Sequence, residues 1–231
     1  FIKNLFFFFP FAFYISGSFA QSNIDVSTEA SAKVDSLRNL ISSNKEDSNK
    51  VNLLNALARE YISSNQLEQA LLYGNQALSL AVQIGFKKGN AYAYYRIAYA
   101  YKEQKKYEKA IQHFIFASEI FTEISMAMHS GNSLSTVAEI YQTEEKYDKA
   151  IEYYLKSLKQ YESAGYSTSI SFNLEQIGHI YGNMHNYDKA IEYYDRCLAT
   201  DQEAGEEENI GRDYTNLGIA YKNKGELGSA Q

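Results

Sequence analysis

Apolar positions in this chain recur on two scales. The short scale is helical. Leu174, Ile177, Gly178 and Tyr181 fall at i, i+3, i+4 and i+7, a spacing that puts small or apolar groups on one helix face. The polar turn "GNMHN" follows, and a second face begins near Tyr187 with Ala190, Ile191, Tyr194, Cys197 and Leu198. The long scale is forty residues. "KYEKAI" occupies 106–111, "KYDKAI" 146–151 and "NYDKAI" 186–191, with looser copies "QLEQAL" at 66–71 and "ELGSA" at 226–230. Tyr61, Tyr101, Tyr141, Tyr181 and Tyr221 keep this step, and so do Ala70, Ala110, Ala150, Ala190 and Ala230. Copies in register point to an internal repeat whose unit is a helix pair. The predicted fold is all-α, an α-solenoid of stacked helix-turn-helix repeats.

Four full repeats are expected at 51–90, 91–130, 131–170 and 171–210, with a truncated fifth at 211–231. Second helices end beside Gly85, Gly165 and Gly205, with Ser125 in the unit that lacks glycine. Glycine suits the left-handed backbone at a helix C-terminus. Ala58, Ala98, Ala138, Gly178 and Gly218 on the first helices face Ala70, Ala110, Ala150 and Ala190 on the second, so the two backbones can approach closely. Ahead of the repeats, Ala30, Val34, Leu37, Leu40 and Ile41 keep second-helix register and predict a capping helix over about 29–43. It lies in an N-terminal segment, 21–50, that ends in the polar linker "SSNKEDSNK". At the other end the fifth second helix is just beginning at Gln231. Tyr214, Leu217 and Tyr221 then lack a packing partner, and the open end is a place for self-association.

Residues 1–20 follow another rule. Lys3, the apolar run "LFFFFPFAFYI" and the ending Ser18, Phe19, Ala20 have the form of a secretory signal peptide, with the mature chain starting at Gln21. The expected location is therefore outside the cytoplasm, periplasmic or at the cell envelope. Membrane attachment would come only from an uncleaved signal or from a span beyond Gln231. Phe1 in place of methionine, and the break in the fifth repeat, read as signs of a piece of a longer frame.

Composition adds exclusions. A net charge of −6 repels phosphate backbones, so nucleic acid is not an expected partner. One cysteine among 231 residues permits no internal disulfide. Cys197 occupies the position of Ala77, Ala117 and Ser157, which predicts a small buried residue. None of His113, His129, His179 and His185 pairs with another at i+3 or i+4, and no P-loop, GxGxxG, HExxH or GxSxG is present. The acidic run "EAGEEEN" at 203–209 lacks calcium-loop spacing. No catalytic residue, cofactor or metal is predicted, and the chain is not expected to be an enzyme.

The set Leu174, Ile177, Gly178, Tyr181, Tyr187, Ala190 and Tyr194, repeated one period earlier, resembles the tetratricopeptide repeat over about residues 51–231. The period exceeds that family's usual ~34 residues, and the family's proline after the second helix is missing. Both departures imply a lengthened second helix. Long repeats of this kind resemble exported arrays found ahead of histidine kinases, nucleotide cyclases and helix-turn-helix regulators. The resemblance implies a groove lined by first helices that binds a protein or peptide. Its groove positions match Asn55 and Arg59 in the first repeat, and Tyr92, Tyr95 and Tyr99 in the second. In the third they match Asn132 and Glu139, and in the fourth Phe172, Glu175 and His179. The basic clamp that some members use for a C-terminal carboxylate is not reproduced. At 100° per residue Tyr94 and Tyr101 fall with Ile97 and Ala98 on the core face, and Tyr92, Tyr95 and Tyr99 fall opposite. That stripe is the expected contact site. Two readings follow. One is an exported, non-catalytic scaffold that binds a partner in its groove. The other is the sensor region of a longer signalling protein.

Overall fold

The computed structural model describes residues 32–43 and 45–229, with side chains through 225. The expected leader at 1–20 and residues 21–31 lie outside the described residues. All regular structure in the described chain is helical. Helix α1 spans 32–43, and α2 spans Ser48–Ser63. Then come α3 (Leu67–Gln83), α4 (Lys87–Glu103), α5 (Tyr107–Glu123), α6 (Ala127–Thr143) and α7 (Tyr147–Glu162). The last three are α8 (Ser167–Asn183), α9 (Tyr187–Ala204) and α10 (Glu207–Ser229). From α2 onward each helix packs on the next, and α2 also meets α4. Val34, Leu37 and Ile41 of α1 close the open side of Leu57, Tyr61 and Ala70, as a cap should. This is the stacked solenoid that the periodicity predicts.

The corners explain the regularity. Asn65, Gly85, Lys105, Ser125, Glu145, Gly165, His185 and Gly205 all have φ between 56° and 72°, at a constant step of 20 residues. At each corner two amides turn back on the preceding helix. Gln66 N donates to Tyr61 O at 2.8 Å and Asn65 N to Ile62 O at 3.0 Å, and the same pair recurs around every left-handed residue. This paired bond satisfies carbonyls that a helix end leaves free. Half-units of equal length mean that both helices share the lengthening of the repeat, which the sequence reading had placed on the second helix. The helical units also begin a few residues ahead of the boundaries read from sequence. The helix α2 already starts at Ser48, inside the expected linker, because the Asp47 carboxylate accepts from the amides of Asn49 and Lys50.

Packing between paired helices depends on small residues. Ala98 meets Ala110, and Ala138 meets Ala150, all fully buried. A Cβ at Gly178 would stand 2.5 Å from the Tyr194 ring. Gly218 differs: an added Cβ there meets nothing within 4 Å. The reason is that α10 runs unbroken through Gly225, where earlier repeats turn. The expected start of a fifth second helix at 226–230 is continued helix as far as Ser229.

The repeating tyrosines form a seam along each helix pair. Tyr61 stacks on Tyr73 with ring centres 5.5 Å apart; Tyr101 meets His113, Tyr141 meets Tyr153, and Tyr181 stacks on Tyr193. Lys109, Lys149 and Lys189 lie over the rings of Tyr101, Tyr141 and Tyr181. Tyr94 joins this seam through His113 and Phe116. Tyr94 and Tyr101 are half-buried rather than enclosed. Their expected place in the core belongs to Ala93, Ile97, Ala98 and Ala100.

Candidate functional site

Five of the ten expected contact residues converge on one open cavity of about 410 Å³. Tyr95 and Tyr99 reach it from α4, Asn132 and Glu139 from α6, and Phe172 from α8. Ser135 and Thr136 complete the α6 wall; Thr168 and Ser169 add hydroxyls from the start of α8; Tyr161 enters from α7. The lining is thus aromatic, with hydroxyl, amide and carboxylate groups set between the rings.

Neighbours hold these groups in place. Tyr95 and Tyr99 stand edge-on to one another at 4.9 Å, and both meet the Phe114 ring edge-on from below. Tyr95 OH donates to Tyr99 OH at 3.3 Å, and Tyr99 OH lies 3.5 Å from Thr136 Oγ1. Tyr161 OH donates to Asn132 Oδ1 at 2.6 Å. Burial pushes the Tyr161 phenol up to about 12, and burial with the Tyr99 hydroxyl raises Tyr95 further. Both remain neutral donors across physiological pH. Lys102 Nζ sits 3.1 Å from Glu139 Oε2, so the one carboxylate of the lining is half compensated. Phe172 is 42% exposed and offers an apolar rim.

Other expected residues lie elsewhere. Asn55 is buried, and its amide donates to the Gly89 carbonyl at 3.1 Å, which ties α2 to α4. Arg59 pairs with its neighbour Glu60. Tyr92 packs on Phe121 and bonds the His129 ring at 2.7 Å. Glu175 is buried and bonds Arg212 at 2.9 Å and Asn216 at 3.0 Å, which ties α8 to α10. His179 sits on the Tyr194 ring and lines a separate concavity with Asn183 and Asn216. The groove positions therefore divide. Asn55, Tyr92 and Glu175 join successive first helices, whereas Tyr95, Tyr99, Asn132, Glu139 and Phe172 face the cavity. Tyr95 and Tyr99 do both, since their ring faces pack on the core and their hydroxyls reach the cavity.

Tyr161 was not in the sequence prediction. Its signal was Gly131, where the other repeats place Val51, Ala91 and Ser171. A Cβ on Gly131 would stand 2.5 Å from the Tyr161 ring, so glycine there makes room for a second-helix aromatic to cross.

Comparison with known proteins bears on what such a groove is for. The family model for the tetratricopeptide repeat matches residues 90–163 and 169–231, more than half of the chain. The chain belongs to the tetratricopeptide repeat family. Tetratricopeptide repeats are in general non-catalytic modules of protein–protein interaction. Three solved structures share the fold. BtubC (BKLC) from P. vanneervenii is 20% identical, with 86% of this chain and 82% of that one covered, at a TM-score of 0.68. RapI in its apo form is 16% identical, covering 88% and 75%, at 0.69. A putative kinesin light chain with nearly identical TPR-like repeats, from Podosopora anserina, is 17% identical, covering 81% and 92%, at 0.63. At such identities the likeness concerns the fold alone. No curated protein matches the chain. No helix among the described residues is long and apolar enough to cross a membrane.

Proposed function

We propose that this tetratricopeptide repeat chain is an exported, non-catalytic scaffold that holds an extended peptide of a partner protein between α4, α6 and α8. The cavity at Tyr95, Tyr99, Asn132, Glu139 and Phe172 carries the proposal. An extended peptide needs partners for its amides and a slot for an apolar side chain. Ser135, Thr136, Thr168, Ser169 and Asn132 supply the first, and Phe172 with the tyrosine edges supplies the second. The lining holds no histidine or cysteine to activate a nucleophile, which favours binding over catalysis.

Peptides selected against the purified chain from a displayed library test the site. Phe172 is exposed, so Phe172→Ala should leave the melting temperature unchanged and weaken selected peptides at least tenfold, about 1.4 kcal/mol. Peptides that bind Phe172→Ala and the parent chain equally would place the contact elsewhere. Export has its own test. Expression in a secreting bacterial host should give a protein whose first residue is Gln21, and a cytoplasmic chain still carrying Phe1 would refute it.

A further inference from the structure

Each repeat contains one buried layer built from the same four positions. In the first repeat these are Val51, Ala77, Ala81 and Ala93, and in the second Ala91, Ala117, Phe121 and Ser133. In the third they are Gly131, Ser157, Tyr161 and Asn173, and in the fourth Ser171, Cys197, Asp201 and Asp213. Every residue of the four layers is buried. The fold alone needs only small apolar groups here, as the first layer demonstrates.

The polar groups of the third layer satisfy each other. Ser157 Oγ donates to the Gly131 carbonyl at 2.8 Å, and Asn173 Nδ2 donates to Ser157 Oγ at 2.8 Å. The fourth layer does not close in this way. Cys197 Sγ lies 3.3 Å from both the Ser171 carbonyl and Asp213 Oδ1, and Ser171 Oγ donates to Asp201 Oδ1. Oδ2 of Asp201 and Oδ2 of Asp213 are buried without any hydrogen-bond partner. Both aspartates have 0% exposure. The nearby guanidinium, Arg212, is half exposed and pairs with Glu175. Two facing carboxylates in a dry layer are costly unless something positive lies between them.

We propose that Cys197, Asp201 and Asp213, with the Ser171 hydroxyl as a fourth donor, form a binding site for a divalent cation of borderline softness, of the Zn²⁺ class. One ligand atom from each of Cys197, Asp201 and Asp213 lies within 4.8 Å of the other two. Thiolate and carboxylate oxygen are both donors for such an ion. Cys197 and Asp201 stand four apart on α9 and so share a face, Asp213 arrives from α10, and Ser171 from α8. The orphaned oxygens are the acceptors that a cation satisfies. Without the cation, burial and the facing Asp201 raise Asp213 to about 6, and burial and Asp213 raise the Cys197 thiol. Binding therefore releases protons and strengthens with pH. The ion would clamp the terminal helix α10 onto α8 and α9.

Cobalt(II) is the probe, because thiolate ligation gives it a strong near-ultraviolet charge-transfer band. Titration of the reduced chain should raise that band to a plateau at about one ion per chain, and Zn²⁺ should then abolish it. Cys197→Ser should remove the band, and Asp213→Asn should weaken cobalt binding at least tenfold. Zn²⁺ should raise the melting temperature of the parent chain and leave that of Asp213→Asn unmoved. Asp213→Asn removes a buried charge at constant size, and Asp201→Asn makes the same test if that variant fails to fold. A folded chain with no cobalt band, or with equal bands in parent and Asp213→Asn, overturns the proposal and assigns the pair a shared proton.

Discussion

Individual side chains show where a helical projection stops being informative. The projection places Tyr92, Tyr95 and Tyr99 away from their own helix's core face, yet all three rings pack against buried clusters that α4 shares with α5. It says nothing of Phe114 and Phe121, which lean across from α5 and take up most of those rings. Burial in a repeat array comes from the next element, whose side chains are not in the helix being projected. The same limit applied to Cys197. Its position predicted a small buried residue, which it is; Asp201 shares its face four residues on, but Asp213 meets it only once α10 packs on α9. His129 carries a further consequence. Burial lowers its pKa, and Lys88 and Arg96 lower it further, so the folded chain keeps the ring neutral where the unfolded chain would take a proton. The Tyr92 hydroxyl and that neutral ring share a hydrogen bond of 2.7 Å. The stabilisation is intact above the unfolded value of about 6.5 and is lost as pH falls from there through the lower folded value. Thermal unfolding between about pH 7 and pH 5 should show this loss, and His129→Gln should flatten it. Identical slopes would place the titrating group elsewhere.

At the level of the element, half of the corners were legible. Glycine announced the ends of the second helices at Gly85, Gly165 and Gly205, and Ser125 followed by analogy. The corners at Asn65, Lys105, Glu145 and His185 carry no common side chain, although their backbone is the same. The geometry there is imposed by the two packed helices, and these residues accept the strain. A left-handed backbone costs an ordinary L-residue about 1–2 kcal/mol, part of which glycine returns as unfolded-chain entropy. Glu145→Gly should therefore stabilise the chain by about 0.5–1 kcal/mol, read as a shift in the urea midpoint with unchanged slope. A loss of stability would mean that the Glu145 side chain contributes something its corner does not show. The forty-residue period likewise revealed the helix pairs, but not that both helices share the extra length, because apolar spacing marks faces better than ends.

Across the molecule, stability is set by neighbours. Each helix rests on the one before and the one after, so the middle of the array is supported on both sides. Among the described residues α10 has no following helix to pack on, and its Tyr214, Ile219 and Tyr221 are more than half exposed. Amide exchange should accordingly be slowest in α6 and α7 and fastest in α10. Uniform protection from α2 to α10 would instead mean a single cooperative block. The identical corners also reach beyond this chain, to its gene. Loss of residues 106–145 would join Lys105 to Lys146, which has the same place after its corner as Lys106, and would set Ala98 against Ala150 and Tyr101 against Tyr153. The new joint would repeat the contact that Ala138 makes with Ala150 and the pairing of Tyr141 with Tyr153. A recombination that adds or removes forty codons in register therefore leaves every corner intact, whereas a slip of any other length turns the seam tyrosines off their face. Packing of this kind therefore tolerates a change of array length by whole units and resists any fraction of one.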